Sequence, residues 1–444
     1  MSLSRLPALL SACFAHLSAA LDRRSAPRLL RLFLGALFAK GRRTVTSWFR
    51  AAAITTDFRP TYNALWAAGR RATDLASRLL CGTLKPLMAQ TPGDHFLFAI
   101  DDTPTARYGP CVQGAGIHHN PHSGPAGEKF LYGHIWVTLA WLAHHPLWHT
   151  LALPLHALLY VRAKDVPALA KQYPWSFQTK LELAVALVRW LVVWLGRSSR
   201  ALWLVADGAY AKRPFLKPVL SLGAVVFSRL RCDAKLRTLP PTKRPKGRRG
   251  PRPTYGPGRI DLAKRAGQKR GWQKVKCVQY GKEVTKIIKT FLATWQPVGG
   301  VIRVVLVREA HGWLAYFCTK VEVPAATILE GMADRAAIEQ LFHDLKEVWG
   351  AGQQQVRNVY ANVGAYAVNL MLSSVVEAWA WSRSEEELVG RPPWDEEPRR
   401  PSHADKRKAL QRLVLREEIQ AVLGEQAKKR EFQRLATFLM ELAA

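Results

Sequence analysis

Short, wholly apolar runs mark the middle of the chain. Phe96-Leu97-Phe98-Ala99-Ile100 has no polar alternation, the pattern of a strand buried on both faces, and it ends in Asp101-Asp102-Thr103. Residues 131–142 and 147–161 read as two further strands, with Pro146 between them as in a hairpin. Residues 180–195 follow as a helix. Residues 201–206 then repeat the first pattern, an apolar strand that ends in Asp207-Gly208. Residues 215–221 are a helix shortened by Pro214 and Pro218, and residues 224–228 are one more buried strand. The order β-β-β-α-β-α-β predicts an α/β sheet with mixed strand directions.

The flanks have other textures. Residues 1–90 look helical and strongly basic. Two helix-like segments, 44–53 and 58–71, are joined by Ile54-Thr55-Thr56-Asp57. A helix–turn–helix and a generic basic bundle both fit, and either would touch DNA through phosphates. Residues 104–129 form a loop rich in Gly, Pro and His. His118, His119 and His122 invite a metal reading, but no fourth ligand accompanies them, so a structural or phosphate-contacting loop is preferred. Residues 229–274 are too polar for a core of their own. Their dense positive charge, with Arg248, Arg249 and Arg252 at its centre, points to DNA contact over a merely solvated linker. Residues 274–280, 284–295, 300–308 and 312–320 alternate like strands between Gly and Pro. Residues 332–346 then read as one helix, without Gly or Pro. A helix through about Trp381, a charged linker over 385–402 and amphipathic helices over 403–444 complete the chain.

Composition narrows the partners. The 444 residues, 48% of them hydrophobic, are enough for two or three domains with real cores. Lys plus Arg number 65 against 33 Asp plus Glu, a formal charge of +32. That balance suits a polyanion: nucleic acid first, an anionic membrane surface second. The 16 tryptophans suit base stacking, though most belong in a core. Six scattered cysteines without a C-x-x-C pair argue against a zinc ribbon and a disulfide framework, and fit a reducing compartment. The first residues read as a helix and not a leader, because Arg23, Arg24 and Arg28 follow soon after. The most apolar stretches, 135–159 and 181–196, are broken by charges, His and Pro, so a soluble cytoplasmic protein is expected.

Three carboxylates bear on chemistry: Asp101 or Asp102 after one buried strand, Asp207 after another, and Glu339 on the 332–346 helix. Arg335, Glu339 and Lys346 share one helix face, which taken alone is also the pattern of a surface ion-pair ladder. Carboxylates held together need a cation, and oxygen-only ligands suit Mg²⁺ or Mn²⁺. Two such ions are the apparatus of phosphodiester chemistry.

These residues carry a resemblance. The chain resembles the DDE transposases of bacterial insertion sequences, whose last-helix signature is Y-x2-R-x3-E-x6-K. Arg335, Glu339 and Lys346 stand at that spacing, with Met332 in the place of Tyr. Asp102-Thr103 matches the first motif, which selects Asp102 over Asp101, and Asp207-Gly208 matches the second. The resemblance implies a ribonuclease-H-like mixed sheet split by a β-rich insertion, with helical N-terminal and C-terminal regions. It implies Asp102, Asp207 and Glu339 as catalytic residues and ligands of two Mg²⁺, with Mn²⁺ able to substitute. Arg335, Lys346 and Arg357 would contact DNA, and Trp313 would stack on an extruded base. The implied activity is cleavage at the element ends and joining of 3′-hydroxyls to target DNA, by a homodimer on double-stranded DNA at the nucleoid. The expected divisions are 1–92 (DNA-binding helices), 93–228 and 326–382 (catalytic core), 229–325 (insertion) and 383–444 (linker and terminal helices). A catalytically silent DNA-binding relative and a nuclease on the same fold are the alternatives.

Overall fold

Strand β1 (His95–Ala106) is the middle of five core strands of the sheet. On one side it pairs antiparallel with β3 (Phe130–His145), which pairs antiparallel with β4 (His149–Tyr160) and, beyond it, with the short β2 (Gly116–His119). On the other side it pairs parallel with β5 (Ala201–Ala206), which pairs parallel with β6 (Val225–Leu230). The order β4-β3-β1-β5-β6, antiparallel then parallel, is that of a ribonuclease-H-like fold. It was traced in a computed structural model that describes residues 8–424, except 57, 120–128, 197, 243–250 and 391–398, together with 430, 433–435 and 437.

The insertion continues the same sheet. Its strands are β7 (Leu236–Arg237), β8 (Arg259–Ile260), β9 (Gln273–Gln279), β10 (Lys282–Trp295), β11 (Gly300–Glu309) and β12 (Gly312–Cys318). They join the core through an antiparallel β12–β6 pair. The alternating segments of the sequence therefore became strands close to their expected limits. The loop expected over 104–129 is shorter than read: β1 runs on to Ala106, and β2 pairs with the start of β3.

Helices α1 (Ala8–Ser18), α2 (Ala26–Phe38), α3 (Val45–Ala51), α4 (Arg59–Arg70), α5 (Ala72–Leu79) and α6 (Lys85–Gln90) precede the sheet. Between β4 and β5 lie α7 (Val166–Ala170) and α8 (Lys180–Leu195); α9 (Arg213–Ser221) separates β5 from β6, and α10 (Leu262–Gly267) lies in the insertion. The start of α8 is fixed by a capping box, in which the Thr179 hydroxyl accepts from the Glu182 amide and Glu182 accepts in return. After the sheet come α11 (Ala325–Asp334), α12 (Ala336–Glu347), α13 (Val359–Ala380), α14 (Glu385–Leu388) and α15 (His403–Leu423). The single helix expected over 332–346 is thus two. They meet at Arg335, where the Ile338 amide donates to the Arg335 carbonyl at 3.0 Å, an i→i+3 bond that tightens the chain.

Helix α13 is the one described helix long and apolar enough to cross a membrane. Here it is mostly buried, packed by α4, α5, α15 and β4. The α4–α13 crossing depends on two glycines that let the backbones touch. A Cβ on Gly364 would collide with the Leu65 carbonyl, and one on Gly69 with the Tyr360 carbonyl. Both obstacles are backbone, so neither can swing aside. Gly364→Leu is expected to destabilise the fold by about 3 kcal/mol, read as a lower urea midpoint. An unchanged midpoint would mean the crossing is looser than it looks. The α3–α4 pair is therefore not free-standing: α4 lies along α13, and both belong to one continuous core.

Candidate active site

Neighbouring parallel strands place registered residues on the same face. Leu97 and Trp203 are opposite each other in the β1–β5 register, and both line a cavity against α12. Counting by twos from Leu97 along β1 reaches Asp101, and from Trp203 along β5 reaches Asp207. The last registered pair is Ile100↔Ala206, so Asp101 and Asp207 follow one step further along their strands, near enough for the Asp207 charge to act on Asp101.

Glu339 comes to this face from the first turn of α12, through Arg335. The Arg335 guanidinium donates to Asp101 Oδ2 at 2.7 Å and to Glu339 Oε1 at 2.6 Å. Asp101 Oδ1 accepts the Asp102 amide at 2.8 Å. Burial pushes the Asp101 carboxyl up to about 6; Arg335 opposes that rise, and the charges of Asp102 and Asp207 add to it. The Asp101 side chain is 19% exposed and that of Glu339 60%, so the site opens to solvent on the α12 side.

Asp102 has the opposite parity. Its Oδ2 accepts from Lys180 Nζ at 2.6 Å and its Oδ1 from the Tyr210 hydroxyl at 3.0 Å. Lys180 is the first residue of α8, and Tyr210 closes the short turn after β5. Burial, then the charges of Asp102 and Asp101, raise the Tyr210 phenol well above its usual value, so it stays a donor. The expected grouping of Asp102 with Glu339 is thus not what the fold makes, because adjacent residues of a strand point to opposite faces. Asp101 holds the position beside Arg335 and Glu339, and Asp102 faces α8.

The other expected residues are more dispersed. Lys346 is half-buried, and burial lowers its amine. Among the described residues no ion pair joins Lys346 to the carboxylates. Trp313 is half-buried at the start of β12, paired across the strands with Arg308. Arg357 is exposed in the loop before α13, and Arg252 is exposed in the basic segment; Arg248 and Arg249 lie outside the described residues. His118 is held neutral, with its pKa lowered to about 4 by burial and then by Arg162, while His122 lies outside the described residues. Sequence reading missed Lys180 and Tyr210, which carry no local signature. It also missed an anchor at the end of β1. There buried Arg107 donates to His134 Nδ1 at 3.0 Å and to the Gly352 carbonyl at 2.7 Å, tying the loop after α12 to the strand.

The donor set suits a hard divalent cation, being all carboxylate oxygen. Among the described residues, however, no three acid, His or Cys groups stand close enough to hold a metal ion as they are, and Arg335 bridges Asp101 and Glu339. Binding would require that guanidinium to let go.

The sheet order, with acids at the ends of its two central parallel strands, defines a ribonuclease-H-like fold with helical flanks and a β-rich extension. The family model for DDE superfamily endonucleases matches residues 13–286, and the chain belongs to that family. The matched span contains Asp101, Asp102 and Asp207 and stops short of Glu339. Comparison with curated proteins found no match. Membership makes the chain a nuclease or transposase of the DDE type, acting on DNA, in a family that generally uses divalent metals.

Proposed function

We propose that the chain is a transposase that cleaves DNA at the ends of its own element and joins the 3′-hydroxyls to target DNA. The observation that carries the reading is the Arg335 bridge between Asp101, at the end of the apolar run of β1, and Glu339 of α12, with Asp207 directly after the neighbouring parallel strand β5. In this reading Asp101 takes the role that motif matching gave to Asp102. Asp101, Asp207 and Glu339 are the residues that would hold the divalent cations, Mg²⁺ or Mn²⁺. When bound, these supply charge neutralisation to the phosphodiester and its leaving oxygen.

The chain's own groups prepare that state. Arg335 holds the Glu339 and Asp101 side chains together, and its guanidinium is also the kind of group that binds a phosphate. Lys180 and Tyr210 fix Asp102, whose amide in turn orients Asp101. Lys346 and Arg252 serve as phosphate contacts. Trp313, half-buried against the core, serves as a stacking surface. The domain divisions of the sequence reading and a dimeric DNA complex belong to the same proposal.

The test uses labelled DNA carrying the sequences that flank the gene, with Mg²⁺ and an unlabelled target. Cleaved ends joined to target are expected. Cleavage without any joined product would leave a nuclease, and binding without cleavage would leave a DNA-binding relative.

A further inference from the structure

A concave surface of about 1690 Å³ lies away from the acids, between the α1–α2 turn, the start of α4 and the loop before α13. Three separate segments bring arginines to it: Arg23, Arg24, Arg28 and Arg31 from the first, Arg59 from the second and Arg357 from the third. Among the described residues none of the six makes an ion pair. Arg28 donates to the Arg24 carbonyl, which aims its guanidinium without neutralising it. The one described acid in the lining is Asp22, whose Oδ1 already accepts the Arg24 and Ser25 amides at 2.8 and 3.0 Å. Tyr62 and Trp66 supply aromatic walls.

Six unpaired like charges in one concavity repel one another and weaken the fold that assembles them. They are stabilised only when a polyanion enters. The groove also has a direction. Gln355 lines both it and a neighbouring concavity that contains Arg42, Tyr108 and Ala106. Ala106 is the last residue of β1, five residues beyond Asp101 on the same strand. A basic track thus leads from the groove to the strand that bears the carboxylates.

We infer that this groove holds the phosphate backbone of the DNA flank next to the cleaved bond, without reading its sequence. The inference rests on the proposed DNA chemistry and adds to it where the flank lies. It also changes the mode expected for the N-terminal region. Contact is made by a groove built jointly with the loop before α13, not by one helix of an independent helix–turn–helix.

The test measures binding of the full chain to a random-sequence duplex of a few tens of base pairs, without divalent metal, across a salt series. Native protein is compared with Arg24→Gln/Arg59→Gln/Arg357→Gln and with the matching Arg→Lys variant. The Gln variant is expected to lower the slope of log K against log salt by about 1 per arginine, and the Lys variant to keep the slope. If the triple variant loses thermal stability, single substitutions give the same reading, each lowering the slope by about 1. An unchanged slope and affinity would overturn the groove. So would arginine-dependent binding to vesicles of anionic lipid with no arginine dependence on DNA. Metal-dependent cleavage by native protein, measured alongside, separates the two claims. Cleavage with an unchanged slope removes the groove alone, and a lowered slope without cleavage removes the catalytic reading alone.

Discussion

Asp101→Asn is expected to lower metal-dependent DNA cleavage by roughly 10³-fold, while Asp102→Asn lowers it by about tenfold. The two residues are adjacent and the substitutions identical, so the difference isolates orientation. Asparagine keeps the size of the side chain and removes its charge. At Asp101 that charge is tied by Arg335 to Glu339, and the Asp207 charge acts on it. In the proposed site its loss weakens a cation ligand and removes the charge that holds Arg335. At Asp102 the charge faces Lys180, whose side chain is 38% exposed and stays solvated without it. The cost there is indirect, through the amide that supports Asp101. Equal thermal stability of the two variants confirms that folding is not being compared. The opposite ranking would return the first carboxylate to Asp102 and would mean that β1 turns over when DNA binds.

The second large effect lies away from the chemistry. Glu377, on the buried side of α13, accepts from Lys406 at 2.6 Å and pairs with His403 Nδ1 at 2.6 Å, both on α15. Lys406 is 1% exposed. Nearby, Arg407 donates to the carbonyls of Leu37, Ala39 and Val348, so α15 clamps the end of α2 to the end of α12. Glu377→Leu leaves a buried ammonium without its counter-charge and is expected to cost 3–5 kcal/mol, on the order found when one partner of a buried pair is removed. Adding Lys406→Met should recover most of that loss. A Glu377→Leu variant with unchanged thermal stability would show that water reaches the pair.

The same group gives a pH dependence. Burial alone would push Glu377 up, but Lys406 and His403 overcome it and hold the carboxyl at about 2, below its ordinary 4.5. A depressed carboxylate contributes fully above its unfolded value and loses that contribution as pH falls through the folded one. Native stability should therefore decline between about pH 4.5 and pH 2, on the order of 3 kcal/mol from this group. Equilibrium unfolding of Glu377→Gln over that window should show a shallower decline. An identical decline would assign the acid sensitivity to other carboxylates.

Much of the fold was legible because these core strands are short apolar runs, too short for a buried helix and bounded by turn residues. Residues 96–100, 201–206 and 224–228 all became parallel neighbours at the centre. The spacing of Arg335 and Glu339 likewise predicted a contact that exists. The choice between Asp101 and Asp102 was not legible in the same way. Both end the same apolar run, and which parity faces α12 depends on how the sheet is covered, a long-range property. The break at Arg335 was hidden for a related reason: its residues favour helix on both sides, and the partner of Arg335 is 234 positions away in the chain. The arginine groove was invisible because its three segments are far apart in sequence and each looks like ordinary surface charge.

The most direct measurement is cleavage of labelled element-end DNA by native protein and by Glu339→Gln, with and without Mg²⁺, beside a binding curve for each. Cleavage is expected only from native protein and only with the metal, while the variant binds DNA with native affinity. If Glu339→Gln cleaves at the native rate, the assignment of Asp101, Asp207 and Glu339 as the reacting carboxylates is wrong.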